Sequence, residues 1–351
     1  MIDLRSDTVT LPTDEMRQAM RDAEVGDDSR DGDPTVRRLE AMAARMTGKE
    51  AGLLVASGTM ANLVALLTHA QRGGEVLLDA RGHIMRSELG GVARLAGLFP
   101  KVYPATAGVP DVAGLRELIQ PKTTKTRIAT SLIAIETSHN DAGGTVPPLA
   151  CLAELQDAAA STGIPIHIDG ARLFNAAAAL GVPASDIARY GDSVGFCLSK
   201  GLSAPVGSVL CGRATFIEEA RAYRRMVGGA MRQAGIVAAA GIVALERMVD
   251  RLADDHRHAQ QIARGLGAID PTLVDVKRVE TNIVMVDLSR TNSTADAWNE
   301  RLAANGVRAG AWTRTSLRLV THRHIDAAAA EQAIAAFRSV YEGQGSPRRV
   351  P

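Results

Sequence analysis

Residues 166–172 read Ile166-His167-Ile168-Asp169-Gly170-Ala171-Arg172, a short apolar segment that ends in an acid. A second apolar segment, Val194–Leu198, is followed directly by Ser199-Lys200-Gly201. Short apolar segments that alternate with helices are typical of a largely parallel sheet covered on both faces. Because such sheets bind ligands at the carboxyl ends of their strands, we expect a ligand site near Asp169 and Lys200.

The segments on either side fit the same α/β pattern. Asp33, followed by Pro34, predicts the start of a helix, and Gly48 predicts its end. Further helices are predicted near Thr13, from about Ile84, over Leu149–Ala160 and around Ala176–Ala179. Strands are predicted at Val76–Leu78, Lys101–Tyr103, Ser131–Ile135, Ile164–Ile168 and Val194–Leu198.

The sequence changes character near residue 250. A charged helix over Asp250–Leu266 leads to strand-like segments at Asn282–Asp287 and Ser316–Val320, and a last helix covers Ala327–Tyr341. We therefore predict an extended arm over 1–13, a large domain over 14–248 and a smaller C-terminal α+β domain over 249–343. The polar residues 344–351 are predicted to be a disordered tail.

The composition excludes several classes of function. The 351 residues include 40 basic and 39 acidic side chains, a balance that creates no field to attract nucleic acid or an anionic membrane. The three cysteines form no Cys-x-x-Cys pair, which favours a reducing compartment. The charged N-terminus does not fit a signal peptide, and the apolar run Ile236–Leu245 is too short to span a bilayer. We predict a cytoplasmic protein with a small-molecule substrate and no metal site.

Lys200 and Asp169 have the chemistry that a pyridine cofactor needs. A lysine at the end of a buried strand loses hydration and becomes a competent amine nucleophile. A carboxylate at the neighbouring strand end can pair with a protonated pyridine nitrogen. Arg172 can bind a substrate carboxylate with two hydrogen bonds. The alternatives are a solvated loop lysine, an Asp that caps a helix and a surface arginine.

Two other segments are ambiguous by themselves. Ser57-Gly58-Thr59-Met60 opens a helix, where free N–H groups and the helix dipole favour a phosphate, but an ordinary capped helix is commoner. At helical spacing, His83, Arg86 and Gly90 are expected to share a face. The His83 imidazole can stack on a planar ring or move protons, or it can be a half-buried structural histidine.

In this order, these segments resemble the threonine aldolase branch of the pyridoxal-phosphate (PLP) enzymes of fold type I, which are related to β-eliminating lyases. The resemblance extends over nearly the whole chain. It is carried by 4–10 (Leu-Arg-Ser-Asp-Thr-Val-Thr), 57–60, His83, 169–172, 197–202 (Cys-Leu-Ser-Lys-Gly-Leu), 204–208 (Ala-Pro-Val-Gly-Ser), 231–235 (Met-Arg-Gln-Ala-Gly) and 317–322 (Leu-Arg-Leu-Val-Thr-His).

The resemblance implies a role for each matching residue. Lys200 would hold PLP as a Schiff base next to Ser199, Asp169 would pair with the pyridine nitrogen, and His83 would stack on the ring. Gly58 and Thr59, preceded by Ser57, would bind the phosphate together with Arg232 of a neighbouring subunit. Ser6, Arg172 and Arg318 would bind the substrate α-carboxylate, and His139 would lie near its hydroxyl. The family is typically a homotetramer, a dimer of dimers with active sites at a dimer interface.

The resemblance also implies the reaction, which is aldol cleavage of a 3-hydroxy-L-amino acid, such as threonine or allo-threonine, to glycine and an aldehyde. The catalytic base is left open between His83, His139 and a water molecule. Arg30 stands where the family usually has an aromatic residue, and Ser87 and Met85 replace aromatic residues after His83. An arginine that faces a buried site is costly unless it meets an anion. Arg30 and Arg86 therefore raise the alternative of a second, distal substrate carboxylate, as in 3-hydroxyaspartate, although surface pairing of Arg30 with nearby acids is about as favoured.

Two rival functions remain at this level. One is another PLP reaction on the same fold, such as β-elimination, transamination or racemisation. The other is a binding protein that kept the fold and lost the chemistry, which the presence of both Lys200 and Asp169 disfavours.

Overall fold

The computed structural model describes residues 1–343, which form two compact units. One unit is Leu11–Val249, and the other joins Met1–Thr10 to the chain from Asp250 onward. The first ten residues thus belong to the C-terminal unit, where Ile2–Asp3 pairs in parallel with Val307–Arg308. The predicted tail, 344–351, lies outside the described residues.

A mostly parallel sheet organises the unit Leu11–Val249. In this fully described range the sheet has seven strands, and all are parallel except Ser208–Gly212, which is antiparallel to both of its neighbours. Their spatial order is Ala51–Val55, Ser208–Gly212, Ser193–Cys197, Ile166–Asp169, Thr130–Glu136, Glu75–Leu78 and Phe99–Val102.

The predicted strands are confirmed within two residues at each end. Two strands of this sheet were not predicted, Ala51–Val55 and Ser208–Gly212, and all five residues of the second are buried. A short buried strand has no alternating polar pattern, and its direction depends on how the chain returns to the sheet.

Helices surround this sheet. Leu53 and Val55 pack with the helices Gly58–His69 and Ala214–Met226. Because side chains alternate along a strand, Leu54 points to the other face, where Pro34–Thr47 contacts the same strand. The remaining helices are Asp14–Arg21, His83–Arg86, Gly91–Arg94, Val112–Leu118, Leu149–Ala160, Leu173–Leu180, Ala184–Ala188 and Gly235–Arg247, and a hairpin joins Ala105–Thr106 to Val109–Pro110.

Local signals determine several helix ends. The side chain of Asp33 caps Pro34–Thr47 by accepting from the N–H groups of Thr35 and Val36, and Gly48 ends it with a left-handed φ of 65°. One prediction here is wrong. The helix that starts at His83 ends at Arg86, and Gly90 is a left-handed residue before the next helix, so Gly90 does not share a helical face with His83.

The C-terminal unit is an α+β structure. Its antiparallel sheet has the order Ile283–Asp287, Ser316–Val320 and Gly310–Thr313. Trp298 and Phe337 are fully buried in its core, with ring centroids 5.7 Å apart. Its helices are Leu252–Ile269, Ala295–Ala304 and Ala327–Glu342, with 3-10 turns at Asp7–Val9 and Val276–Arg278. None of the helices in residues 1–343 combines the length and apolarity needed to cross a membrane.

Candidate active site

Acidic side chains gather at the carboxyl edge of the large sheet. Glu136 and Asp169 are the last residues of adjacent parallel strands and lie opposite each other in the register. Asp79 directly follows the next strand, Glu75–Leu78, and Lys200 lies three residues beyond Ser193–Cys197. The parallel arrangement therefore collects groups that are far apart in sequence.

Asp169 is a buried and firmly held carboxylate. The residue is 4% exposed. Oδ2 accepts a hydrogen bond of 2.8 Å from Asn62 Nδ2, and Oδ1 accepts one of 3.1 Å from the N–H of Ala171. These two hydrogen bonds fix the orientation of the carboxylate at the strand edge.

His83 is held at both its backbone and its ring. Its N–H donates to Glu136 Oε2 over 2.6 Å, and its Nδ1 lies 2.9 Å from Glu88 Oε1. The hydrogen bond to Glu88 raises the pKa of His83, against the effect of burial; Asp169 raises it further and Lys200 lowers it. Because both groups act on the imidazole electrostatically, His83, Asp169 and Lys200 lie in one site.

His139 lies among carboxylates on the adjacent strand end. It is 1% exposed, its Nδ1 accepts a 3.2 Å hydrogen bond from the N–H of Ala142, and its Nε2 lies 3.4 Å from Asp79 Oδ2. Burial acts to lower the pKa of His139, but Asp79 and Glu136 outweigh burial and raise it. Because Nδ1 accepts, the proton of the neutral ring is on Nε2, facing Asp79.

The start of the helix Gly58–His69 has the features of an anion site. Ser57 Oγ accepts from the N–H of Met60, as the cap prediction requires, while the N–H groups of Gly58 and Thr59 have no acceptor within the helix. A Cβ at Gly58 would lie 2.9 Å from Cys197 Sγ and 3.8 Å from Ser208 Oγ. Within residues 1–343 that buried hydroxyl has no hydrogen-bond partner.

We expect Gly58→Ala to weaken PLP binding. The added methyl must displace Cys197 or move the helix start, and overpacking of this kind typically costs about 1–3 kcal/mol. The affinity of the apoenzyme for PLP, measured by absorbance titration, should fall roughly tenfold. Gly91→Ala is the matched control, because a Cβ there meets no atom within 4 Å. Equal PLP affinity in the two variants would contradict the phosphate assignment.

The candidate arginines differ in their surroundings. Arg172 is 6% exposed, and its Nη1 lies 3.4 Å from Asn140 Oδ1. The side chain of Arg30 is 80% exposed, 3.7 Å from Asp27, and Arg86 forms an ion pair of 3.0 Å with Asp141. Arg30 therefore forms a surface ion pair, with Asp27 as its partner, as the alternative prediction has it. Arg86 is already paired with the carboxylate of Asp141. The suggestion of a distal substrate carboxylate gains no support from these contacts.

Three other residues were predicted to bind the phosphate or the substrate carboxylate. Arg232 is 66% exposed and lies 3.5 Å from Asp27. Ser6 and Arg318 belong to the C-terminal unit. There Ser6 caps the 3-10 turn Asp7–Val9, and the Arg318 guanidinium lies 4.3 Å from the Trp312 ring centroid and donates to the carbonyl of Arg5. The role of Ser6 and Arg318 in substrate binding stays a prediction.

Four residues of the site were not among the predicted ones: Glu136, Glu88, Asn62 and His167. Glu136 had the same signal as Asp169, an acid that ends an apolar strand at the ligand-binding edge. Asn62 was visible as a polar residue between the apolar Ala61 and Leu63 in the helix Gly58–His69, and it proves to be buried. Glu88 had no comparable signal, because its partners Asn62 and His83 meet it only in the folded chain.

The donor set fits PLP. An amine, a buried carboxylate and an imidazole converge at one strand edge, and a helix start with an unsatisfied hydroxyl nearby suits a phosphate. His83, Glu88 and Asp169 also bring ligand-type atoms within 4.8 Å of one another, the only such grouping found in residues 1–343. Both carboxylates there already accept from Asn62, so the grouping is explained by hydrogen bonding.

Known proteins are similar to this chain in sequence and in fold. A family model described as "Beta-eliminating lyase" matches residues 3–291. Low-specificity L-threonine aldolase 1 of Arabidopsis thaliana is 41% identical, covering 99% of this chain and 98% of that protein. The low specificity L-threonine aldolase of Escherichia coli K12 is 42% identical, covering 92% and 94%. A threonine aldolase structure from Leishmania major superposes with a TM-score of 0.82 at 16% identity, covering 97% of this chain and 100% of that one.

These similarities extend over nearly the whole chain and agree with the residues assembled at the sheet edge. The fold-type-I prediction is confirmed, and so is the prediction of pyridoxal phosphate as the cofactor. The chain belongs to the β-eliminating lyase family, in its threonine aldolase branch, and is a PLP-dependent lyase.

Proposed function

We propose that this protein cleaves 3-hydroxy-L-amino acids such as threonine and allo-threonine to glycine and an aldehyde. The observation that carries the proposal is the convergence of Lys200, Asp169 and His83 at one edge of the sheet. The names of the Arabidopsis and Escherichia coli relatives support the same substrate class.

The surroundings of the site suit this reaction. PLP supplies an electron sink for the pair of electrons left at Cα when the Cα–Cβ bond breaks. Lys200 provides the amine that holds the cofactor. Asp169, fixed by Asn62 and Ala171, provides the negative charge opposite the ring nitrogen. Arg172 binds the substrate carboxylate, which orients the bond to be broken.

Two histidines are available to move the hydroxyl proton. His83 is oriented by Glu88, and His139 lies between Ala142 and Asp79. Nearby carboxylates raise the pKa of both rings, which stabilises the protonated form that would follow proton abstraction. A water molecule held by either ring is the third candidate.

A product assay tests the proposal against the rival PLP reactions. Threonine, allo-threonine, 3-hydroxyaspartate and serine are incubated with the holoenzyme. We expect glycine and the matching aldehyde from threonine and allo-threonine, and little product from 3-hydroxyaspartate, because Arg30 is exposed and Arg86 is paired. A keto acid with ammonia as the main product would identify β-elimination and overturn the proposal.

We also propose that the protein is a cytoplasmic homo-oligomer, a dimer of dimers, in which Arg232 of one subunit serves the phosphate site of another. The exposure of Arg232 leaves it accessible to a neighbouring chain. Specific activity should therefore fall when the protein is diluted until it dissociates, as followed by analytical ultracentrifugation. A fully active monomer would refute the shared site, and recovery of the native protein in a membrane fraction would refute the location.

A further inference from the structure

Four polar side chains form a hydrogen-bonded chain that runs from Asp169 through the large sheet. In order, they are those of Asn62, His167, Ser193 and His69. Asn62 Nδ2 donates to Asp169 over 2.8 Å, and Asn62 Oδ1 lies 3.0 Å from His167 Nε2. His167 Nδ1 lies 2.8 Å from Ser193 Oγ, and the same hydroxyl lies 2.7 Å from His69 Nε2. Asn62, His167 and Ser193 are all at most 2% exposed.

In this hydrogen-bonded chain, only one assignment of donors and acceptors is chemically possible. Asn62 faces two carboxylates, Asp169 and Glu88, each 2.8 Å away, so its amide nitrogen must point to them and its oxygen to His167. His167 Nε2 therefore carries a hydrogen. Burial lowers the pKa of His167 to about 4, so the ring is neutral and its Nδ1 accepts.

The same reasoning extends to the outer end. Since His167 Nδ1 accepts, Ser193 Oγ gives its hydrogen to His167 and must accept from His69. Burial lowers the pKa of His69 to about 3, so its ring is also neutral and carries its hydrogen on Nε2. His69 stacks on Phe216 with ring centroids 4.3 Å apart, beside a cleft of about 830 Å³.

We infer that Asn62 and His167 are positioning residues for Asp169, and that Ser193 and His69 hold His167 in the Nε2–H tautomer. Each donor in the chain points toward Asp169, so the aligned dipoles stabilise its negative charge and fix Oδ2 in place. The inference rests on the proposed pairing of Asp169 with the cofactor nitrogen, but the tautomers themselves do not depend on PLP.

The first test reads those tautomers directly. Nitrogen-15 NMR of the histidine side chains in the full-length apoprotein, with signals assigned by His167→Gln and His69→Gln, should show a protonated Nε2 and an unprotonated Nδ1 on His167. A protonated Nδ1 or a charged ring on His167 would overturn the inference. This result is independent of whether the enzyme proves to be an aldolase.

The second test measures the effect on the cofactor. Asn62→Leu removes the donor to Asp169, and loss of a hydrogen bond to a charged group should weaken PLP binding by about 10- to 100-fold. The absorption of the bound cofactor should also titrate at a different pH, because the charge of Asp169 sets the protonation of the ring nitrogen. His167→Gln, which can still donate and accept, should retain more PLP affinity than His167→Leu.

Controls separate positioning from simple loss of stability. Thr47→Val removes another buried hydroxyl, which donates to the carbonyl of Ala43 in its own helix, contacts Cys211 and lies outside the chain of four side chains. We expect unchanged PLP affinity and cofactor titration in that variant. Circular dichroism should show that Asn62→Leu and His167→Leu are folded at the assay temperature. Folded variants that bind PLP with the parent's affinity and titrate at the parent's pH would overturn the inference.

Discussion

Lys200→Ala should lose nearly all turnover, and borohydride reduction of the parent enzyme should attach the cofactor to the peptide that contains Lys200. In the proposed site, the amine of Lys200 is the cofactor's covalent partner at the strand edge. Because the proposed reaction depends on this covalent attachment, its loss should lower turnover by several orders of magnitude.

The measurement combines kinetics with mass spectrometry of the reduced protein. Lys122→Ala is the matched control, because Lys122 is exposed in a loop. It should retain the parent's activity and labelling. Attachment of the reduced cofactor to any other lysine would refute the assignment of Lys200.

Arg172→Ala should lose most of its activity while it still binds PLP. Arg172 is 6% exposed, so a substrate carboxylate that meets its guanidinium is removed from water, and truncating one partner of such a pair costs roughly 2–5 kcal/mol. That cost corresponds to a fall in kcat/KM of about 30- to 5000-fold. Absorbance of the bound cofactor should be close to that of the parent enzyme.

Two companion variants sharpen this test. Arg172→Lys keeps the charge but not the two-pronged geometry, so it should recover only part of the loss. Arg116→Ala, on an exposed helix position, should behave as the parent. A kcat/KM for Arg172→Ala within a few-fold of the parent value would show that Arg172 does not bind the carboxylate.

The local chemistry of the chain was enough to predict five of the seven strands of the large sheet and to place Asp169 and Lys200 near its carboxyl edge. The apolar segments that end in Asp169 or precede Lys200 could be predicted as buried strands from the sequence, because the burial and the ends of a strand depend on neighbouring residues. The cap at Asp33 and the left-handed Gly48 were predicted for the same reason, and both are confirmed. The resemblance then supplied the substrate class, which no periodicity encodes.

Only the tertiary structure decided which distant groups meet. The antiparallel strand Ser208–Gly212 and the hydrogen-bonded chain from His69 to Asp169 depend on strand order, and directly bonded residues in that chain are separated by up to 124 positions in sequence. Likewise, only the structure shows that the guanidinium of Arg86 is paired with Asp141, whereas the sequence left it available to bind a substrate carboxylate. Residue patterns report the local environment along the chain, whereas these contacts follow from how the strands and helices are placed beside one another.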